Sequence, residues 1–421
     1  MITLVAVVML FVVGAMAALS IDVVTFYTAR SEAQLAADGA ALAAARVLAN
    51  SGATSDPNAL TDNLMTNAWA LAQAVALRVA QQNQVAGTGL TSAQVILPSG
   101  PGGTSTNPTV TISVQVTNLP TFFARIWGTK FITVSASATA EAYNPSGANL
   151  TGTTIPVAPT CVKPWLLPNI DPSNPPNPIF VTTTGAIAPT ATALLGWTFS
   201  SPGGAPMSLA CPGGNCSGTL PPPGAWQYYP GDPARTFPPP TQAIPSCAPA
   251  MTTQYEKSIA GCIETPIACN STANIDTSNY GNRNRETERA ANCVTHASTN
   301  QGDQVDPMVT SPPFQFLAGN DNPISGLAGN DVMVSDSLVT VPVFDVGAGP
   351  PPFSSPTSPV QIVGFVQLFL NPDGMAAPGF GPNRGKVNTT VINMAGCGTG
   401  ASGQPILGNG ASPVAVRLIS P

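Results

Sequence analysis

The chain opens on an apolar run, Met1 to Ile21, with no charged side chain, and Asp22 ends it. About 20 apolar residues at roughly 1.5 Å each cross a bilayer core as a helix. A second run, Ser31 to Leu48, follows; it is rich in Ala and Leu and free of proline. Alanine is the strongest helix former. From Met1 to Leu48 the only glycines are Gly14 and Gly39, and the first proline is Pro57. Together the runs predict one helix of up to roughly 45 residues, half in lipid and half standing out of it. Small residues at Ala15-Met16-Ala17 and Ala17-Ala18-Leu19 would suit a signal peptidase, but no Lys or Arg precedes the run, and it is longer than a signal core. A retained anchor is therefore expected, and the missing basic flank suggests a natural segment that starts upstream of Met1.

The rest of the chain is polar but thinly charged. Charged residues are 8% of the 421, and the formal net charge is −6. Fourteen scattered basic residues leave no footprint for nucleic acid. There are 45 prolines and 39 glycines, about a fifth of the chain, concentrated after residue 144. All eight cysteines lie beyond residue 160: Cys161, Cys211, Cys216, Cys247, Cys262, Cys269, Cys293 and Cys397. An even count in a loop-rich region behind a membrane anchor reads as disulfides in an oxidising compartment. That places the N-terminus in the cytoplasm and the bulk of the chain outside. Eight cysteines allow 105 pairings; the turn sequence Pro-Gly-Gly-Asn favours Cys211 with Cys216 as a local pair.

Periodicity then sets the elements. Gly52 to Pro57 stops the first helix, and Asn58 to Gln84 reads as a second, with Leu64, Ala68, Leu71, Val75 and Val79 on one face and Thr61 or Asp62 as cap. Strands are expected at Ala93–Leu97, Thr109–Val116 and Lys130–Tyr143, the last two alternating cleanly. Pro120 to Gly128 between them reads as a helical turn whose aromatics cover the sheet. Asn144 to Ala250 is dominated by Pro, Gly, Thr and Ser, including Pro221-Pro222-Pro223 and Pro238-Pro239-Pro240, and needs disulfides or a partner to hold it. A short helix is expected at Gln254–Cys262. Strands return at Leu338–Phe344, Val360–Leu370, Lys386–Met394 and Val414–Ile419, as a second β-rich unit. The fold class is α+β, divided as 1–50 anchor and extended helix, 51–143 helix plus antiparallel sheet, 144–250 loop region, and 251–421 cysteine-containing β-rich region.

Little in this pattern carries chemistry. His296 is the one histidine; Cys293-x-x-His296 has no second ligand pair at zinc spacing, and a Cys-His nucleophile would need a free thiolate where disulfides form. Two repeats, Leu317 to Asp321 and Leu327 to Asp331, place carboxylates near Asp336, but they lack calcium-loop spacing and read as Asx turns. Arg283, Arg285 and Arg289 alternate with Glu286 and Glu288, which reads as a solvated face. No phosphate loop, nucleophile elbow or zinc helix is present. We expect no catalytic, cofactor or metal residues and no enzyme. Asp22 at the helix's outer edge would reach headgroup water; the alternative is a contact that sets register in a helix bundle.

Three strings carry a resemblance: Ala18-Leu19-Ser20-Ile21-Asp22-Val23, Tyr27-Thr28-Ala29-Arg30, and Leu35 to Ala45. They resemble the N-terminal region of the TadG-like and TadE-like proteins of bacterial tight-adherence (Flp) pilus assembly, specifically over residues 1 to 50 and more weakly to Tyr143. Gly39 stands where that family has an Ala, and Ala44 where it has a Gly. No prepilin peptidase site is found, since Glu32 is the first glutamate. The string Asp276-Thr277-Ser278-Asn279-Tyr280 fails the metal-dependent adhesion motif of larger members. The resemblance implies a single-pass inner-membrane structural component with partners in the lipid bilayer and among other pilus-assembly proteins. Asp22, Tyr27, Asp38 and Gly39 are its candidate helix-packing residues. The alternative is a secreted or cell-surface adhesin with a cleaved signal; an extracytoplasmic enzyme ranks third.

Overall fold

Residues Ile2–Asn50 form a single α-helix, α1. At 1.5 Å per residue its 49 residues extend about 74 Å. The computed structural model describes residues 2–55, 63–147, 157–174, 177–196, 207–209, 226–231, 251–261, 265–276, 280–296, 302–309, 312–322, 326–332, 335–347, 357–371, 385–398, 406–408 and 412–420. Among them α1 is the one helix long and apolar enough to cross a membrane, and none of its most apolar 18-residue stretch is buried within the protein. The outer half is different. Ala29, Ala33, Ala36, Ala37, Ala40, Ala41, Ala44, Ala45 and Leu48 are all buried, at the three- and four-residue spacing of one helix face.

That alanine face packs on helix α2 (Asn63–Gln81) and on an antiparallel sheet. The sheet contains β1 (Val95–Ile96), β2 (Gly102–Gly103), β3 (Pro108–Pro120) and β4 (Phe131–Tyr143). Val110, Ile112, Val114 and Val116 on β3, with Val134, Ala136, Ala138, Ala140 and Ala142 on β4, turn inward against α1. The expected alternation is met. The expected second helix ends at Gln81 rather than Gln84, and the start of its pattern, with the cap at Thr61 or Asp62, lies outside the described residues.

A second sheet forms beyond residue 157. Its strands are β5 (Trp165–Pro168), β6 (Ser208–Leu209), β7 (Gln227–Pro230), β8 (Thr272–Asp276), β9 (Leu338–Phe344), β10 (Thr357–Leu370) and β11 (Thr389–Gly396). The order is β8-β10-β9-β5-β7-β6, with β11 also on β10. Every residue of β9 and β11 is buried, as in a sheet covered on both faces. Three of these strands, β5, β6 and β7, come from the Pro/Gly-rich stretch after residue 144, so parts of it are built into the sheet. Helices α3 (Gln254–Ala260) and α4 (Tyr280–Val294) pack on each other beside it. Cys269 and Cys397 form a disulfide, and Cys161 and Cys293 are each engaged in a disulfide. The anticipated Cys211–Cys216 pair lies outside the described residues.

Two sequence expectations are overturned here. The charged run on α4 is not a solvated face: Arg283, Glu286 and Glu288 are buried. Arg283 donates to Asp276 at 2.8 Å and pairs with Glu286, while Arg289 pairs with the buried Glu256. Alternating charge suits solvent and a paired interior network equally, so composition cannot separate them. The last strand, β12 (Ala415–Ser420), does not join the second sheet but pairs antiparallel with β4, Ala415 opposite Tyr143. Either sheet edge suits an apolar six-residue run, and only tertiary register chooses between them.

The end of α1 is joined to the second sheet by buried amides. Asn393 of β11 donates to the Ala49 carbonyl and to Thr54 Oγ1 (3.0 Å), and its own oxygen accepts from Ser55. Asn144 donates to the Met394 carbonyl at 2.7 Å, and Gln367 donates to Asn50 at 3.0 Å. Replacing Asn393 with Ala leaves several buried groups unpaired, an expected cost of about 2 kcal/mol, on the scale of unsatisfied buried polar groups. Thermal unfolding of the full chain in detergent measures it; an unchanged midpoint would show that this joint does not hold the two sheets.

Candidate functional site at the membrane boundary

Asp22 stands where α1 changes surroundings, from largely exposed apolar residues before it to an alanine face, buried from Ala29 onward, after it. Its carboxylate is 1% exposed and turned toward the loop between β3 and β4. That loop, residues 121–130, contains a 3₁₀ turn over Ala124–Trp127, closed by Gly128 at φ 95°. The turn has no cap from its own preceding side chain. Asp22 supplies it from a hundred residues away. One oxygen accepts from the Phe122 N–H at 2.9 Å; the other accepts from Phe123 at 2.9 Å and Ala124 at 2.6 Å. A carboxylate on three consecutive N–H groups is the arrangement that the unpaired donors at a helical N-terminus favour.

Asp22 therefore reaches neither headgroup water nor a neighbouring helix in this chain; its own loop satisfies it. Tyr27 is 70% exposed and, with Val23, Phe26 and Arg30, borders a groove closed by Ile132 to Ser135 of β4. Asp38 accepts from Gln34 Nε2 at 2.8 Å, and that amide also donates to the Ser137 carbonyl. Gly39 faces α2, where a Cβ would meet Val79 at an ordinary 3.8 Å. The four candidates are strung along roughly 26 Å of helix and do not converge.

Sequence reasoning placed the loop aromatics on the sheet, and the structure places them outward. Phe122, Ile126, Trp127 and Phe131 are 61%, 70%, 55% and 57% exposed. The reason is that α1 already covers the inner face of β3 and β4. Their mixture with Arg125 and Lys130 was a legible sign of a membrane-boundary composition.

Residues 1–47 match the family Tad, described as "Putative Flp pilus-assembly TadE/G-like". The Tad segment thus ends within α1, three residues short of its terminus. It contains Asp22, Tyr27, Asp38 and Gly39 and none of the loop that Asp22 binds. The match supports a role in Flp pilus assembly in general. No curated protein and no solved structure matches the chain.

Elsewhere, His296 lies between Asp321 of the first repeated turn and Asp336, with Nδ1 3.9 Å from Asp321 and Nε2 3.7 Å from Asp336. Among the described residues no group of three His, Cys, Asp or Glu side chains is arranged to hold a metal. Cys293, bonded in a disulfide, is no nucleophile for this histidine. Lys163 is buried, donates to the Ile259 and Gly261 carbonyls at the end of α3, and is pushed down to about 8 by burial.

Two outcomes follow from this geometry. In Asp22→Ala, amide exchange at Phe122, Phe123 and Ala124 should accelerate roughly tenfold or more, the scale of a hydrogen bond to a charged group. Hydrogen exchange of the full chain in detergent reads this, and unchanged protection would remove Asp22 as the cap. The Asp336 contact raises the His296 pKa above 6.5, burial opposes it, and the charges of Asp336, Asp321 and Asp303 add to the rise. A raised folded pKa means that the stabilisation is complete below pH 6.5 and is lost as pH climbs through the folded value. Imidazole titration by NMR should show a midpoint above 6.5 that falls in Asp336→Asn; a midpoint at or below 6.5 would contradict the pairing.

Proposed function

We propose that this protein is a non-enzymatic, single-pass component of Flp pilus assembly, TadE/TadG-like, anchored in the inner membrane with its N-terminus cytoplasmic. Its work is structural. The observation that carries the reading is the continuity of α1: one helix is lipid-facing for its first half and is the core of the outer domain for its second. No hinge separates the two, so any displacement of the span moves the outer sheets with it.

The disulfide between Cys269 and Cys397 supports an oxidising location for the bulk of the chain. The match at residues 1–47 supports the pilus role. For contact with other assembly subunits, Tyr27 is the strongest of the four candidate residues. With Val24 and Leu35, 64% and 67% exposed, it shares one outward helix face. Asp22, Asp38 and Gly39 then set the packing of α1 within its own chain.

The test combines localisation and phenotype. In intact cells the thiols should resist alkylation until a reductant is added, the protein should sediment with the inner membrane, and its deletion should abolish surface Flp pili. Tyr27→Ala should lower piliation without lowering protein level. A mature N-terminus lacking about 20 residues would instead favour the secreted adhesin. Normal piliation in the deletion strain would end the assembly reading.

A further inference from the structure

We propose that the loop between β3 and β4 is a second membrane contact, a wedge seated in the outer leaflet beside α1. The proposal rests on the anchor reading of α1 and adds to it a lipid-binding surface far away in sequence.

The loop lies at the depth of the span. Ala124, Trp127 and Thr129 form one wall of a groove whose other wall is Phe11, Val12, Ala15, Met16 and Leu19 of α1. Leu19 is three residues before Asp22 and Phe11 eleven, so this wall spans about 4 to 16 Å along the helix on the apolar side of Asp22. If those α1 residues are in hydrocarbon, the groove and the loop beside them are below the headgroups as well.

The outward side chains fit that place. Phe122, Ile126 and Trp127 on the loop and Phe131 at the start of β4 present four large apolar groups beside the exposed apolar surface of α1. In water such a patch is costly. Arg125 and Lys130 are exposed among them and have no ion-pair partner among the described residues. Long cationic side chains flanking aromatic residues suit the phosphates of anionic lipids, with the charge reaching up and the stem lying in the apolar layer.

The backbone is the decisive part. Irregular chain is tolerated near lipid only where its N–H and C=O groups are satisfied internally. Here Thr121 donates to Lys130 (3.1 Å), Ile126 to Phe123 (3.0 Å), Gly128 to Arg125 (3.1 Å) and Thr129 to Ala124 (3.3 Å). The three donors left at the start of the turn, Phe122, Phe123 and Ala124, are the ones that Asp22 accepts. Most N–H groups of the loop thus have partners within the chain, as backbone lying beside lipid requires. The buried carboxylate replaces the water that this loop would otherwise need.

The full chain is reconstituted into vesicles of phosphatidylcholine and phosphatidylglycerol, 3:1, with or without bromine on the upper acyl carbons. Wild type is compared with Trp127→Phe, which keeps the apolar surface and leaves the other four tryptophans in place. A quenched emission component present in wild type and absent in Trp127→Phe is expected. Replacing both Arg125 and Lys130 with Gln should reduce that quenching in the anionic vesicles more than in pure phosphatidylcholine. Vesicles that float with the protein but quench both forms equally would overturn the wedge and leave the anchor standing. Protein that fails to float would overturn both. Equal quenching together with a Trp127-dependent crosslink between copies would assign the patch to a second chain instead.

Discussion

Everything built on the second half of α1 depends on the contact between its alanine face and the inner faces of β3 and β4. Alanine leaves little volume between helix and sheet, so the two backbones approach closely and the valines of β3 fill what remains. Each buried methyl contributes little alone, but the stripe runs from Ala29 to Ala49. A large side chain in this stripe would push the helix off the sheet, and an overpacked core is itself destabilising. On the proposed anchor reading of α1, the same contact sets the angle at which the sheets leave the membrane.

The buried polar joints reinforce this contact at both ends. Asp22 ties the start of the packed half to the β3–β4 loop. Asn393 and Gln367 tie its end to the second sheet, and Asn144 ties the end of β4 to β11. Such groups are costly to desolvate and specify one geometry once fully paired. A helix fixed at two points and along a face has little freedom to rotate against its sheet.

Legibility in the sequence followed the range of the interactions. α1, β3, β4, β9, β10 and β11 could be read within a few residues because their patterns are local: an unbroken apolar run, an alanine stripe, a two-residue alternation. The partners were another matter. The three N–H groups on Asp22 lie a hundred residues away, and nothing at Asp22 announces them. Arg283 and Glu286 look alike in solvent and in a core. Phe122 and Trp127 looked like a lid for the sheet because α1's occupation of that face is a tertiary fact. The Cys269–Cys397 pair was one of many that counting left open.

The pairing of β12 with β4 gives the fold a particular order of completion. The N-terminal sheet receives its edge strand from residues 415–420, after both strands of the β3–β4 hairpin and the whole second sheet have been synthesised. During synthesis, therefore, α1, α2 and the hairpin can assemble while one edge of β4 still presents open backbone donors and acceptors. An edge in that condition accepts any strand of suitable register. The chain closes it with its own late segment, so the first domain to emerge is the last to be sealed, and its maturity reports that translation has passed through nearly everything between.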